Sequence, residues 1–297
     1  MTNQTNQTVA AAPSFNPAGY KNKQRQQWNE VAAGWQQYWP FFENGARPMS
    51  KHLVELAQLQ SGQQVLDIAT GIGEPALTAA RRVGPSGHVV ATDQAQHMLD
   101  VAQERAVAAG LQNIAFHEAD AEALNLPKDV FDAVLSRWGL MFLPNLSDTL
   151  VNIRQWLRPG GWLATAVWDT PSQVPLLTLP MRVIRQFIDV PPPPAGVPNP
   201  FSLANVASFE ATLKEIGFVN VSHERITLTW EFDLAQQFVD MVRATASPIL
   251  TLLAAHPADV QAEIWQAIAA EAERVFGTAN GRIAIPSQAI SVVGQRK

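Results

Sequence analysis

The sequence predicts an α/β fold in which a mostly parallel, doubly wound sheet of seven strands carries helices on both faces. Three observations predict it. Short apolar runs alternate with stretches of helical spacing from about residue 63 to about 168. Asp67, Asp93 and Asp120 close three consecutive runs 26 and 27 residues apart, near the length of one strand–helix unit. The glycine-bearing loop Ala69-Thr70-Gly71-Ile72-Gly73 follows the first run directly. Strand carboxyl ends share one rim of a parallel sheet, so this order gathers three carboxylates beside a glycine loop.

Taken in order, residues 1–19 are Asn, Gln, Thr, Ala and Pro in the main, too polar to pack, and read as a disordered tail. Residues 20–60 read as an aromatic helical cap. Trp28, Val31, Ala32 and Trp35 fall on one helical face, and a second helix near 49–59 takes Ser50 as its N-cap. Residues 61–170 form the core, with strands near 63–68, 87–92, 113–117, 131–136 and 162–167 and helices near 74–83, 95–109 and 146–157. Gly110 stops the second of these helices, and Pro159-Gly160-Gly161 turns the chain into the fifth strand.

Residues 171–233 hold a helix near 175–188, a stiff Pro191-Pro192-Pro193-Pro194 excursion, a helix over 204–216 stopped by Gly217, and a long sixth strand over 218–232. Residues 234–280 read as helices near 234–245, 248–255 and 258–276, inserted before the last strand and expected to overhang the rim as a lid. Residues 281–297 supply that strand, which is partly irregular and completes the core.

Bulk properties narrow the function. The chain has 297 residues, 47% hydrophobic and 16% charged, with a net charge of −5. That balance favours neither nucleic acid nor an anionic membrane as partner. The absence of cysteine excludes disulfides, thiolate metal ligands and a cysteine nucleophile. No uncharged apolar stretch is long enough to span a bilayer, and the N-terminus has no secretory pattern, so a cytoplasmic protein is expected. The six histidines include no pair at metal-ligand spacing and no Ser-His-acid set, so no metal is expected. Oligomeric state stays open.

The glycine loop has two readings. Gly71-Ile72-Gly73-Glu74-Pro75-Ala76 fits the relaxed dinucleotide fingerprint, with Asp93 about 20 residues on as its acid. An NAD-dependent oxidoreductase is therefore one alternative, and a catalytically silent cofactor-binding partner is another. Asp67 ahead of the loop and Glu74 at the helix start both oppose a pyrophosphate. Asp67 also suits an ammonium. With Asp93 for ribose hydroxyls and Asp120-Ala121 for an exocyclic amine, the rim describes an S-adenosylmethionine site.

Over roughly 50–170 the sequence resembles the class I methyltransferases, with several motifs in order. Val65 to Gly73 resembles their first motif, with Ala69 in place of the usual first glycine and Thr70 in place of a common cysteine. Asp93, Gln94 and Met98 resemble the ribose and adenine-stacking segment, and Asp120 to Leu124 the adenine-edge motif. Phe131 to Arg137 resembles the fourth-strand motif, and Leu157 to Gly161 the turn before the fifth strand. Ser136 to Phe142, with the aromatic N-terminal helix, is similar to a bacterial branch related to the ubiquinone/menaquinone methyltransferases, which mostly modify small molecules.

The resemblance implies a Rossmann-like fold and S-adenosylmethionine held by Asp67, Ala69, Thr70, Gly71, Gly73, Asp93, Gln94, Met98, Asp120, Ala121, Ser136 and Arg137. It implies a small-molecule acceptor; the Trp, Phe, Leu, Met and Val content of the expected pocket segments makes that acceptor largely hydrophobic, and the lack of a placed histidine favours nitrogen or oxygen as the methylated atom, with carbon as a third option. Trp35, Tyr38, Trp39, Trp138 and Met141 are the candidate acceptor-pocket residues. The pocket is expected between the rim, the aromatic helix, the Trp138-Gly139-Leu140-Met141-Phe142 segment, the 171–203 excursion and the 234–276 helices. Methyl transfer from a sulfonium needs alignment and exclusion of water more than a dedicated catalyst. Catalytic residues are accordingly unassigned, with Arg137 and His256 the nearest candidates.

Overall fold

The computed structural model describes residues 15–191, 194 and 196–297. Seven strands are β1 (Gln64–Ile68), β2 (His88–Asp93), β3 (Ile114–Glu118), β4 (Phe131–Arg137), β5 (Leu157–Trp168), β6 (Phe218–Phe232) and β7 (Ile283–Arg296). They form one sheet in the order β3-β2-β1-β4-β5-β7-β6. The first five run parallel, and β7 lies antiparallel between β5 and β6. This is the mostly parallel, doubly wound sheet that the alternation predicts.

Nine helices flank it among the described residues: α1 (Pro17–Leu56), α2 (Ala76–Val83), α3 (Gln96–Ala108), α4 (Leu146–Trp156), α5 (Pro175–Ile184), α6 (Val206–Ile216), α7 (Ala235–Thr245), α8 (Ser247–Leu253) and α9 (Ala258–Phe276). Successive strand residues point to opposite faces, which divides the core in two. Val65, Ala133, Leu135 and Ala164 pack with α1, α2, α5 and the α7–α9 segment. Leu66, Ile68, Val134 and Leu163 pack with α4 and α6 on the other face. The register pairs Ile68 with Thr92 and Asp93 with Glu118, so the carboxyl ends of the first three strands end level on one rim.

Four features depart from the sequence reading. The two N-terminal helices are one 40-residue helix, α1, which continues through Pro40 and Pro48. Each proline removes a helix N–H, and continuity is secured by tertiary burial: Ala46, Met49 and Leu53 are fully buried against the sheet. Ser50 is thus inside α1, not a cap. Of the tail expected over 1–19, residues 1–14 lie outside the described residues, while Asn16 caps α1 and accepts from the Gly19 N–H at 3.1 Å. β5 begins at Leu157, so Pro159-Gly160-Gly161 sits in an irregular strand start, with the pairing to β4 shifted between Phe131 and Ala133. The last strand is a single element that pairs along both its edges.

The inserted helices connect the end of β6 to the start of β7 and pack on α1 and on those strand ends, with Phe238 of α7 against Phe232. α7 crosses α1 so closely that a side chain at Gly34 would strike the Ala244 carbonyl, while Gly45 lies flat on the Trp230 indole, whose Nε1 donates to the Phe42 carbonyl at 2.9 Å. Among the described residues no helix is long and apolar enough to cross a membrane.

Candidate active site

A cavity of about 1060 Å³, mouth included, opens at the carboxyl rim beneath the first half of α1. The β1–α2 loop forms its floor. Ala69, Gly71 and Gly73 hold φ of 57°, 56° and 105°. Gly71 leaves open space where a side chain would stand, so the backbone itself faces the cavity, whereas a side chain at Gly73 would collide with Leu77. Trp138, at the end of β4, is a second non-glycine residue at positive φ (62°) beside the same cavity.

The three aspartates converge on this rim but do different work. Asp67 is fully buried beneath the loop; its Oδ2 accepts from the Ala76 N–H at 3.0 Å and its Oδ1 has no partner. Burial pushes its pKa up to about 7 against the opposing pull of hydrogen bonds and Arg137. Asp93 ties the two loops together, accepting from Gly71 N–H at 2.8 Å and Ala95 N–H at 2.9 Å. Burial raises its pKa too. Each of its oxygens keeps a lone pair beyond the backbone bond, and the residue lines the cavity. Asp120 lies two residues beyond β3 and receives Lys21 Nζ of α1 at 2.6 Å; the same ammonium reaches Glu122 at 3.0 Å.

Arg137 is buried and bridges to Glu43 of α1 (Nη2–Oε1 2.5 Å, Nη1–Oε2 3.1 Å) and to Ser50 Oγ at 2.8 Å, with its guanidinium 5.0 Å from the Trp138 ring centre. Among the described residues, the buried side-chain polar atoms without a hydrogen-bond partner are Trp35 Nε1, Asp67 Oδ1, Thr70 Oγ1, Arg137 Nε and Trp138 Nε1. Four of these five residues line the cavity, and Asp67 lies directly under it. Orphaned buried polar groups cost about 1–3 kcal/mol each, so their concentration at one place marks where a polar ligand completes the structure.

Of the residues singled out from sequence, Ala69, Thr70, Gly71, Asp93, Gln94, Met98, Asp120, Ala121, Arg137, Trp35 and Trp138 line the cavity. Gly73 and Asp67 shape it from behind. Ser136 does not reach it, because its hydroxyl is buried and donates to the Ile68 carbonyl at 2.9 Å. Tyr38 packs on Phe41 in the core and Trp39 lies under the Arg105 guanidinium, each turned from the cavity by helical pitch. Met141 is buried in the core, and His256 stands in the turn between α8 and α9, outside the lining. Among the described residues, the cavity lining comes from α1, the three rim loops and the end of β4, and none of it from the 171–203 excursion or the inserted helices. Among the described residues no cluster of three or more His, Asp or Glu gathers to hold a metal.

Sequence reasoning missed Tyr20, Lys21, Gln24, Phe42 and Glu43, all of which line the cavity. Glu43 left one trace: a lone acid directly after Trp39-Pro40-Phe41-Phe42. Lys21 left none, since its partners lie 99 and 101 residues away.

Comparison with known proteins agrees with this geometry. A family model described as a methyltransferase domain matches residues 65–161. The ubiquinone/menaquinone biosynthesis C-methyltransferase of Pseudomonas entomophila is 36% identical over 127 residues, 42% of this chain and 50% of that protein. An uncharacterized protein of Mycobacterium tuberculosis is 36% identical over 152 residues, 51% of this chain and 52% of its own. The chain thus spans about half the length of the curated relatives it matches. Among solved structures, phosphoethanolamine N-methyltransferase 2 of Haemonchus contortus, in complex with phosphomonomethylethanolamine and S-adenosylhomocysteine, superposes with a TM-score of 0.57 at 16% identity, covering 96% of this chain and 61% of that one. The [4+2]-cyclase SpnF gives 0.52 at 17%, covering 91% and 96%. At such identities the likeness speaks for the fold alone.

Proposed function

We propose that this chain, a class I S-adenosylmethionine-dependent methyltransferase over residues 65–161, moves a methyl group to nitrogen or oxygen of a small, largely hydrophobic molecule. S-adenosylmethionine supplies an electrophilic methyl on a sulfonium. The residues present fit it: an acid-rich rim, a loop whose Gly71 leaves the backbone bare, and orphaned polar atoms in the floor and walls. Asp93 stands where ribose hydroxyls would be accepted, Gln94 and Met98 beside the adenine, and Asp120-Ala121 at its amino edge. Glu74 heads α2, where a pyrophosphate would otherwise bind, so the dinucleotide alternative finds no support in the site.

The acceptor wall is apolar. Trp28, Trp35, Phe42, Trp138, Phe142 and Leu143 line it, and α1 covers it from solvent. Such a wall orients an apolar acceptor and excludes water, the two effects this chemistry chiefly needs. The observation that carries the proposal is the coincidence of unpaired buried polar atoms, an acidic rim and aromatic walls in one cavity.

Isothermal titration with S-adenosylhomocysteine and with NAD tests it. Binding of S-adenosylhomocysteine, weakened by about 1–3 kcal/mol in Asp93→Ala, is expected; binding of NAD alone overturns the reading. Incubating metabolites with a methyl-labelled donor and following the label by mass spectrometry then identifies the acceptor.

A further inference from the structure

Every charged group of the cavity has a partner, and one is held far more loosely than the rest. Lys21 is shared by Asp120 and Glu122, Arg137 is taken up by Glu43, and Asp93 is committed to loop N–H groups. Glu74 differs. Its Oε2 accepts from Thr78 Oγ1 at 2.6 Å and from the Thr78 N–H at 3.3 Å. Among the described residues its Oε1 makes no hydrogen bond and meets only the Arg81 guanidinium, at 4.0 Å. The Thr78 bonds at the head of α2 explain the first oxygen and leave the second with only the long Arg81 contact, in a side chain that is 10% exposed and lines the cavity. The same cavity is walled by Trp28, Trp35, Phe42 and Trp138, whose faces attract cations.

Resting on the methyltransferase reading, we propose that Glu74 is the catalytic carboxylate of the acceptor side and that the acceptor is an apolar molecule carrying an amine. The aromatic walls and Glu74 hold the ammonium form, which gives one N–H proton to Glu74 Oε1. The freed nitrogen lone pair forms the new N–C bond as the donor's S–CH3 bond breaks, and sulfur keeps that electron pair as a thioether. Glu74 returns its proton to solvent when the methylated amine leaves.

The charges facing Glu74 are Glu43 from α1, Arg137 from β4, Arg105 from α3, Arg81 from α2 and Asp67 from β1. Burial and then Glu43 raise its pKa, against Arg137, the Thr78 hydrogen bonds and Arg105. A raised carboxylate is the better proton acceptor.

The test compares tryptamine with tryptophol and benzylamine with benzyl alcohol, each titrated into protein loaded with S-adenosylhomocysteine, for wild type and Glu74→Gln. Wild type is expected to bind each amine about tenfold or more tightly than its alcohol. Glu74→Gln, which keeps an acceptor for Thr78, is expected to erase that preference while its affinity for S-adenosylhomocysteine stays within about twofold. Methyl transfer to the amines is expected to fall about a hundredfold in Glu74→Gln and to recover in part in Glu74→Asp. Absence of an amine preference, a preference that survives in Glu74→Gln, or a parallel loss of S-adenosylhomocysteine affinity overturns the assignment. Failure of wild type to bind S-adenosylhomocysteine instead sinks the methyltransferase reading itself.

Discussion

The two halves of α1 are one helix held by two different forces. From Glu43 to Val54 its inward side is buried, with Ala46, Met49, Ser50 and Leu53 at 0% exposure. Between Pro17 and Pro40 only Val31 and Ala32 are buried; they rest on Ile72, Ala95 and Met98. The remaining anchors of that half are polar and close to solvent: Lys21 on Asp120, Gln36 on Glu104 at 2.7 Å, and Asn29 on the His97 N–H at 2.9 Å. The half that roofs the cavity is thus the half with least apolar burial. Local opening free energies follow such differences, so the roof can yield for ligand exchange while the root stays fixed.

The Glu43–Arg137 pair marks the junction and offers the largest perturbation. Arg137→Ala leaves a buried carboxylate without its partner, and about 4 kcal/mol of stability is expected to be lost, read as a shift in the urea midpoint. Replacing both residues together by apolar ones of similar volume is expected to cost far less, because the pair's desolvation penalty is removed with it. Equal losses from the single and double changes would show that the pair is not what fixes the root of α1.

Asp67 acts under the roof and through pH. Its folded pKa, about 7, lies above the ordinary aspartate value of 3.8. A raised folded pKa means that the contribution is complete below about pH 4 and is lost as pH rises towards 7. Asp67→Asn keeps an acceptor for Ala76 and cannot ionise. Its melting temperature relative to wild type is therefore expected to climb between about pH 4 and pH 7, equivalent to a few kcal/mol. A constant difference across that window would mean that Asp67 finds its missing partner in the folded protein. Within the root, Leu53→Ala is expected to cost about 3 kcal/mol at any pH, with no such slope.

What the sequence made legible follows the same division. The parallel sheet, the rim and the glycine loop are local or periodic features: strand length, turn residues and the spacing of Asp67, Asp93 and Asp120 are written in consecutive residues. The fusion of the cap into one helix was not legible, because Pro40 and Pro48 argue locally for a break and only burial against β5 and β6 overrides them. The acceptor wall was half legible. Trp35 and Trp138 stood out as aromatics, but helical pitch and not composition decides that Trp28, Trp35 and Phe42 turn inward while Tyr38 and Trp39 do not. Lys21 and Glu43 meet partners about a hundred residues away, and long-range pairing of that kind leaves no mark on a neighbouring residue. The inserted helices were legible in position from their spacing, but nothing in residues 234–276 reports that Gly34 of α1 receives Ala244.

The smallest expected effect is the sharpest test of the two-force picture. Lys21 is 26% exposed and its partners Asp120 and Glu122 are 31% and 7% exposed, so solvent screens the contacts. Lys21→Ala is expected to cost less than about 1 kcal/mol of global stability, within the scatter of a denaturation curve. Its consequence is local. Hydrogen exchange of residues 17–30 is expected to accelerate while residues 46–56 keep their protection, and added salt is expected to reproduce the acceleration in wild type. The two treatments should not add, because each removes the same tether. If exchange quickens equally along the whole of α1, the roof and the root form one cooperative unit, and ligand entry then requires the helix to move as a body.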